Sequence, residues 1–339
     1  MSMVHSAAFP RPTRTPRIVT ASLGLSALLG CGGGGGGSST PPPAVAPAIT
    51  SHPASQTVQR GATATFTVSA TGTPTPVLQW RKGGTALGGQ TSSTLALTNV
   101  QLTDEGTYDA VASNSAGSAT SNPARLTVLL PGLVAYFPFS GNANDASGNN
   151  NNAVVQGAVP TADRLGAANS AYRTIPGYLQ VPANASLNLT DFTFCLWFRM
   201  EQVNSAFNCL AGKDYTTAYA FGVNSGGSGN CPPPAGTLRR MVVYLGGVSR
   251  TFPTTNFLCD TWYHAALTYN NSTGALQLFV NGTLVDTASV PGGTLGTSTY
   301  PLGLGRDGRF GDTFNGVMDE IFIFNRVLTT QEIQGLYAR

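Results

Sequence analysis

Between Ala62 and Ala70 every second residue is apolar and those between are threonine or serine: Ala62-Thr63-Ala64-Thr65-Phe66-Thr67-Val68-Ser69-Ala70. A period of two places successive side chains on opposite faces, so this stretch predicts a half-buried strand. Phe192 to Phe198, Met241 to Leu245, Trp262 to Tyr269 and Leu276 to Val280 also read as strands. Asn281-Gly282 then separates two such runs, and both residues tolerate the positive φ of a type I′ hairpin turn. Helical signals are nearly absent: Thr329 to Glu332 reads as a capping box opening one short C-terminal helix, with Ile333 and Leu336 placed to dock it. The fold class expected is all-β, with two successive sandwiches.

The amino terminus has a different logic. Arg11, Arg14 and Arg17 precede an apolar run from Ile18 to Leu29, too short to span a bilayer comfortably. Leu28-Leu29-Gly30-Cys31 closes that run, with six glycines after it. This stretch resembles a bacterial lipobox, which implies a signal peptide over 1–30, cleavage before Cys31 and acylation of the Cys31 thiol. Several acyl chains at ~0.8 kcal/mol per buried CH₂ hold a protein on a membrane durably. Gly32 lacks the aspartate associated with inner-membrane retention, so the expected location is the cell envelope, with the outer membrane favoured. Residues 31–47, rich in Gly and Pro, read as a tether of roughly 20 to 25 Å.

Without the three leader arginines, basic and acidic residues are equal at 15 each. No basic run remains, so nucleic acid is not an expected partner. The 10% charged fraction, with abundant Gly and Pro, fits an extracellular, turn-rich β protein.

Over 48–129, Trp80 follows Val68 by twelve residues, Leu95 and Leu97 continue the alternation, and Asp104-Glu105-Gly106-Thr107-Tyr108 comes next. These residues resemble an immunoglobulin-like domain, which implies a Trp at the sandwich centre and a Tyr forming the corner hydrogen bond. The two half-cystine positions are Val68 and Ala110 here, so packing around Trp80 must replace the inter-sheet disulfide. Two roles stay open for this domain: a spacer, or a ligand-binding module.

The segment 132–339 begins with Leu133-Val134-Ala135-Tyr136-Phe137 and Asn144-Asp145-Ala146-Ser147-Gly148-Asn149. It ends with Gly316-Val317-Met318-Asp319-Glu320-Ile321-Phe322-Ile323-Phe324. Both ends resemble those of the laminin G-like, concanavalin A-like jelly roll that also includes pentraxins. The resemblance implies a lectin-type sandwich and nominates Asp145 and Asp319 as calcium ligands, since Ca²⁺ takes six to eight oxygens at about 2.3–2.6 Å; the alternative is that Asp145 caps a turn and Asp319 is exposed or hydrogen-bonded. Asn150 stands where that family often has a second glycine. For a sugar site the loop Arg306-Asp307-Gly308-Arg309, with Tyr244 and Tyr300, offers planar polar groups and aromatic faces. Trp197 and Trp262, inside apolar strand runs, are expected in the core.

Hydrolysis of a glycosidic bond needs two carboxylates facing one cleft. Asp319 and Glu320 are adjacent on a strand and point to opposite faces, and His264 reads as structural, so the expectation is a binding protein and not an enzyme. Four cysteines follow the leader: Cys195, Cys209, Cys231 and Cys259. An even number in an exported domain predicts two disulfides, with three possible connectivities; Cys209 with Cys231 and Cys195 with Cys259 are favoured. The expected function is glycan or glycoprotein recognition by a lipid-anchored protein, in adhesion or polysaccharide capture. A protein-binding adhesin or a scaffold component is the alternative, ahead of a glycoside hydrolase or sialidase-like enzyme.

Overall fold

The computed structural model describes residues 42–202, 207–224, 238–293 and 295–339. The immunoglobulin-like part packs a six-stranded sheet, in the order Gln56–Gln59, Ala124–Leu129, Gly106–Asn114, Val77–Lys82, Thr85–Ala86, with Gly117–Thr120 beside Gly106–Asn114. Opposing it are the pairs Ala64–Thr67 with Thr94–Leu97 and Val45–Ser51 with Ser69–Thr73. The alternation at 62–70 therefore becomes two strands that part at Val68 and take different partners. Ala64, Phe66 and Val68 are buried while Thr65 and Thr67 are exposed, as a period of two requires.

Trp80 sits fully buried at the centre and its Nε1 donates to the Ser92 carbonyl at 2.9 Å. The Tyr108 hydroxyl donates to the Asp104 carbonyl at 2.6 Å, the corner bond the sequence implied. Val68 and Ala110 fill the half-cystine positions, buried among Phe66, Trp80 and Tyr108.

The larger sandwich faces an eight-stranded sheet against a seven-stranded one. In the first, Phe192–Met200 runs between Gly316–Phe324 and Trp262–Asn270, and Leu133–Phe137 pairs with the outer part of Gly316–Phe324. In the second, Phe207–Gly212, Tyr219–Asn224 and Arg240–Leu245 are neighbours. The shared core includes Phe192, Phe194 and Phe198 from one sheet and Leu210, Phe221 and Val243 from the other. Asn281 and Gly282, at φ 49° and 74°, join Ala275–Val280 to Thr283–Ser289 as the hairpin turn predicted.

The two tryptophans differ from expectation. Neither lies in the core between the sheets: Trp197 is on the outer face, covered by the Arg164 guanidinium at 4.6 Å and the Tyr337 ring at 5.5 Å, and the Trp262 ring lies under Arg199. Both rings are partly exposed and covered from outside, Trp197 by Arg164 and Tyr337 and Trp262 by Arg199.

The C-terminal helix Thr330–Tyr337 has the capping box expected, with the Thr329 hydroxyl accepting from the Glu332 amide and the Glu332 carboxylate accepting from the Thr329 amide. Its Ile333 and Leu336 are buried in a third cluster with Leu129, Leu130, Tyr136, Phe322 and Phe324, against which Leu102 packs. This cluster draws on both sandwiches, so one apolar core crosses the boundary near Pro131-Gly132. Ion pairs surround it: Arg60 with Glu332 at 2.8 Å, Arg326 with Glu332 at 2.8 Å, and Arg339 with Glu105 at 2.9 Å.

Burial alone would raise the Glu332 carboxyl. The Arg326 bond, the Thr329 amide and the charge of Arg326 outweigh it and hold it at about 2, below the ordinary 4.5. A depressed carboxylate contributes stability that is complete above pH 4.5 and is lost as pH falls towards 2. Glu332→Gln is therefore expected to melt below the wild type at pH 6, and the gap between the two should close on acidification. A gap independent of pH between 6 and 2 would refute this account.

Candidate functional site

On the outer face of the seven-stranded sheet, register sets Cys209 beside Gly222 and Val242, and Gly212 beside Ala220 and Tyr244. An irregularity between Cys209 and Ala211 allows Leu210 and Ala211 both to reach the core, and so turns Gly212 outward. The centre of this face is consequently floored by glycine and alanine. A Cβ at Gly212 would stand 2.6 Å from the Ala220 Cβ and 2.9 Å from Asp307 Oδ2, so only glycine leaves room for the carboxylate above it.

Aromatic rings rim that floor. Tyr244 meets Phe207 edge-on at 5.0 Å and Tyr215 at 5.2 Å, and Tyr215 stacks on Phe310 at 4.1 Å. Phe310 and Tyr300 are 44% and 40% exposed, large apolar surfaces left facing solvent. Between them the Arg309 guanidinium lies 4.7 Å from the Phe310 ring centre and 5.3 Å from that of Tyr300. It is held there by Asp214 at 3.2 Å and by donation to Thr216 Oγ1 at 2.7 Å.

Asp307 is fully buried. Its Oδ1 accepts from the amides of Arg309 and Phe310 at 2.9 and 2.7 Å, which shapes the loop, while Oδ2 has no hydrogen-bond partner among the described residues. Burial pushes its carboxyl up, and burial does the same to the half-buried Asp312. Burial and then the charge of Asp312 raise the Tyr215 and Tyr244 phenols. At Asp214 burial acts upward, but bonds from Thr216, Thr217 and Arg309 prevail and lower it, so it stays ionised as the anchor for Arg309.

Of the five residues the sequence nominated for a ligand, four meet here: Asp307, Arg309, Tyr300 and Tyr244. Arg306 instead lies over the Tyr178 ring at 4.5 Å. Phe310, Asp214 and Gly212 were missed. The Asp214-Tyr215-Thr216-Thr217 run was the available signal for one of them, since Asp followed by Thr at two and three residues marks a side-chain-closed turn.

The two nominated metal ligands do not fit calcium. Asp145 Oδ1 accepts from the Tyr136 and Ser147 amides, and Oδ2 from the Ser147 hydroxyl and the Asn151 amide, all between 2.8 and 2.9 Å. Both oxygens are thus occupied in closing the turn, in which Asn150 takes φ 58°. Asp319 is buried, with Oδ2 on Arg164 Nη1 at 2.7 Å; burial first, against the Arg164 charge, pushes its carboxyl up to about 6. A guanidinium stands where the sequence reading put a cation. Among the described residues no three His, Cys, Asp or Glu side chains converge on one point.

The disulfide pairs also need correction. Cys195 and Cys209 are free and buried, so neither Cys209 with Cys231 nor Cys195 with Cys259 forms. Both thiols face apolar neighbours on opposite sheets, Cys195 among Phe322 and Leu336, Cys209 among Ala220 and Val242. Cys231 and Cys31 lie outside the described residues, as do the signal peptide and most of the tether. Among the described residues no helix is long and apolar enough to cross a membrane.

Asp319 and Glu320, expected on opposite faces of their strand, are instead both taken up by Arg164, each at 2.7 Å, because Glu320 takes φ 46° at an irregularity in the strand pairing. His264 is buried in the strand Trp262–Asn270; burial and then Arg164 lower its imidazole to about 3, so it stays neutral.

Comparison with known proteins agrees with this architecture. Residues 47–128 match the immunoglobulin I-set domain and residues 174–334 the concanavalin A-like lectin/glucanases superfamily, as a laminin G-type domain. Endoglucanase C of Cellulomonas fimi is 42% identical over 87 residues, which is 24% of this chain and 8% of that protein. Roundabout homolog 2 of Homo sapiens is 37% identical over 81 residues, 22% of this chain and 6% of its own length. The chain therefore spans only a small fraction of these relatives. Among solved structures, domain 4 of AbnA, a GH43 extracellular arabinanase from Geobacillus stearothermophilus in complex with arabinotriose, is similar at TM-score 0.48 and 17% identity. That likeness covers 60% of this chain and 98% of that one.

Proposed function

From an immunoglobulin I-set domain joined to a concanavalin A-like one, we propose a carbohydrate-binding protein that takes its ligand on the outer face of the seven-stranded sheet. The observation that carries this is the exposed Phe310 and Tyr300 pair flanking a fixed Arg309. Such rings stack on the C–H faces of a sugar, while the guanidinium donates to hydroxyl oxygens. Arg309 is already positioned by Asp214 and Thr216, so little side-chain freedom is lost when a ligand arrives.

Binding without hydrolysis is the reading proposed. Asp214 and Glu320 are committed to arginine partners, and Asp319 is buried against the same Arg164 as Glu320, so none of the three stands free to meet a glycosidic oxygen. A lipid anchor at Cys31, holding the pair of domains on the envelope and favouring the outer membrane, belongs to the same proposal. Mass spectrometry of the amino terminus, with and without globomycin, tests it; an unmodified Cys31 overturns the anchor. A protein-binding adhesin is the competing function, since immunoglobulin-like domains and exposed aromatic rings serve protein contacts equally well.

The full chain in detergent is expected to bind at least one member of a panel of soluble neutral polysaccharides without releasing reducing ends. Phe310→Ala with Tyr300→Ala should weaken that binding about tenfold or more, since stacked rings contribute roughly 0.5–1.5 kcal/mol each beyond the area they bury. Unchanged affinity in the double variant would refute the site, and release of reducing ends would refute a purely binding role.

A further inference from the structure

The core shared by the two sandwiches also creates a cleft between them, about 860 Å³ in volume. One wall is the outward face of the six-stranded immunoglobulin sheet. Thr57 is the register partner of Thr127 there, and Arg125 that of Thr107, so these four side chains share a surface while Ala124, Leu126 and Val128 turn inward. The opposite wall comes from the larger domain and presents Ser140 and the loop around Asp163. Because Leu129, Leu130, Leu336 and Phe322 pack beneath, both walls are fixed before any ligand arrives.

The charges decide what such a cleft can hold. At its base Arg339 is paired with Glu105, and Arg164 is shared by Asp319 and Glu320. What remains unspent is one group of each sign. The exposed Arg125 guanidinium makes no hydrogen bond among the described residues, and its charge acts on Glu105 only from a distance. Asp163 gives only Oδ1, to the amides of Leu165 and Ala167 at 2.8 Å, leaving Oδ2 open. The hydroxyls of Thr57, Thr107, Thr127 and Ser140 likewise have no partner among the described residues.

We infer that this interdomain cleft is a second binding site, for a neutral oligosaccharide. Each hydroxyl of such a ligand both donates and accepts, so it can take bonds from Arg125, give them to Asp163, and exchange either with the threonine wall. A uronate or sulfated sugar meets the excess carboxylate at the base, where two acids share one arginine, and is disfavoured. A peptide ligand needs apolar pockets for alternate side chains, and the lining offers Leu102, Pro138 and Leu165 only as separated patches. Two separated sites on one rigid pair of domains would engage a long polysaccharide twice and raise its avidity.

The site stands apart from the outer-face cluster and is tested in its absence. In the full chain carrying Phe310→Ala and Tyr300→Ala, calorimetric titration with cellohexaose, xylohexaose and maltohexaose should still show binding to at least one. Adding Arg125→Ala and Thr127→Val should weaken that residual binding at least tenfold with an unchanged melting temperature. No residual binding to any of the three overturns the cleft, and so does residual binding that the added substitutions leave intact. Preference for oligogalacturonate or for an extended peptide mixture over the neutral hexaoses overturns the assigned ligand class.

Discussion

Replacing Leu336 with alanine is expected to lower the stability of both sandwiches together, by about 2–5 kcal/mol, and to convert one thermal transition into two. Leu336 is fully buried, and truncating a buried leucine removes its transfer free energy and leaves a cavity that only partly relaxes. Its surroundings belong to both domains: Leu129 and Leu130 continue the last immunoglobulin strand, Leu102 packs on the cluster from the same domain, and Phe322, Phe324 and Ile333 come from the larger one. Gly335 adds a close contact, since a Cβ there would stand 2.6 Å from Leu102 Cδ1. An immunoglobulin-like bead on a flexible string would melt by itself. Differential scanning calorimetry distinguishes the two: independent transitions in the wild type, or a Leu336→Ala effect confined to one transition, would show that the shared core does not couple the domains.

Gly212→Val should abolish most glycan binding at the outer face while leaving the sandwich folded. Gly212 has an ordinary backbone conformation, so the substitution meets no φ penalty; the obstacle is purely the space occupied by Ala220 and Asp307. The added side chain must displace the Asp307 carboxylate, which holds the amides of Arg309 and Phe310. Those two residues are the ones proposed to meet the sugar. A loss of affinity beyond tenfold is expected, with circular dichroism unchanged. Retention of full affinity would mean that the Asp307 loop does not present the ligand surface.

What could be read along the chain were the properties that repeat locally. The period of two at 62–70, the Asn281-Gly282 turn and the Thr329 capping box each depend on residues a few positions apart, and each forms as expected. Tyr108 and Trp80 were also legible, because the corner bond spans four residues and the tryptophan lies within a plain strand pattern. Position 150 is a further case, where asparagine adopts the left-handed conformation that glycine would have.

The misread positions share a different property. Asp145 was nominated for calcium with turn-capping as the alternative, and amides as far as Tyr136 and Asn151 fill its oxygens. Asp319 looked available to a cation, but Arg164 reaches it from 155 residues away along the chain. Trp197 was placed in the core by its apolar neighbours, although it is a remote helix and the same arginine that cover it. The two favoured cysteine pairs failed because Cys195 and Cys209 are each buried as free thiols against an apolar cluster, while Cys259 is disulfide-bonded without Cys195.

The sequence alone determined that this protein is built of strands in two successive sandwiches, and which loop gathers arginine, aspartate and aromatic rings. Only the tertiary structure decided, among the described residues, which carboxylates keep an open oxygen, and that the two domains share a core with a cleft beside it. Strand patterning is set by contacts between near neighbours, but the occupancy of a polar group is set by whichever distant donor the fold brings within about 3 Å.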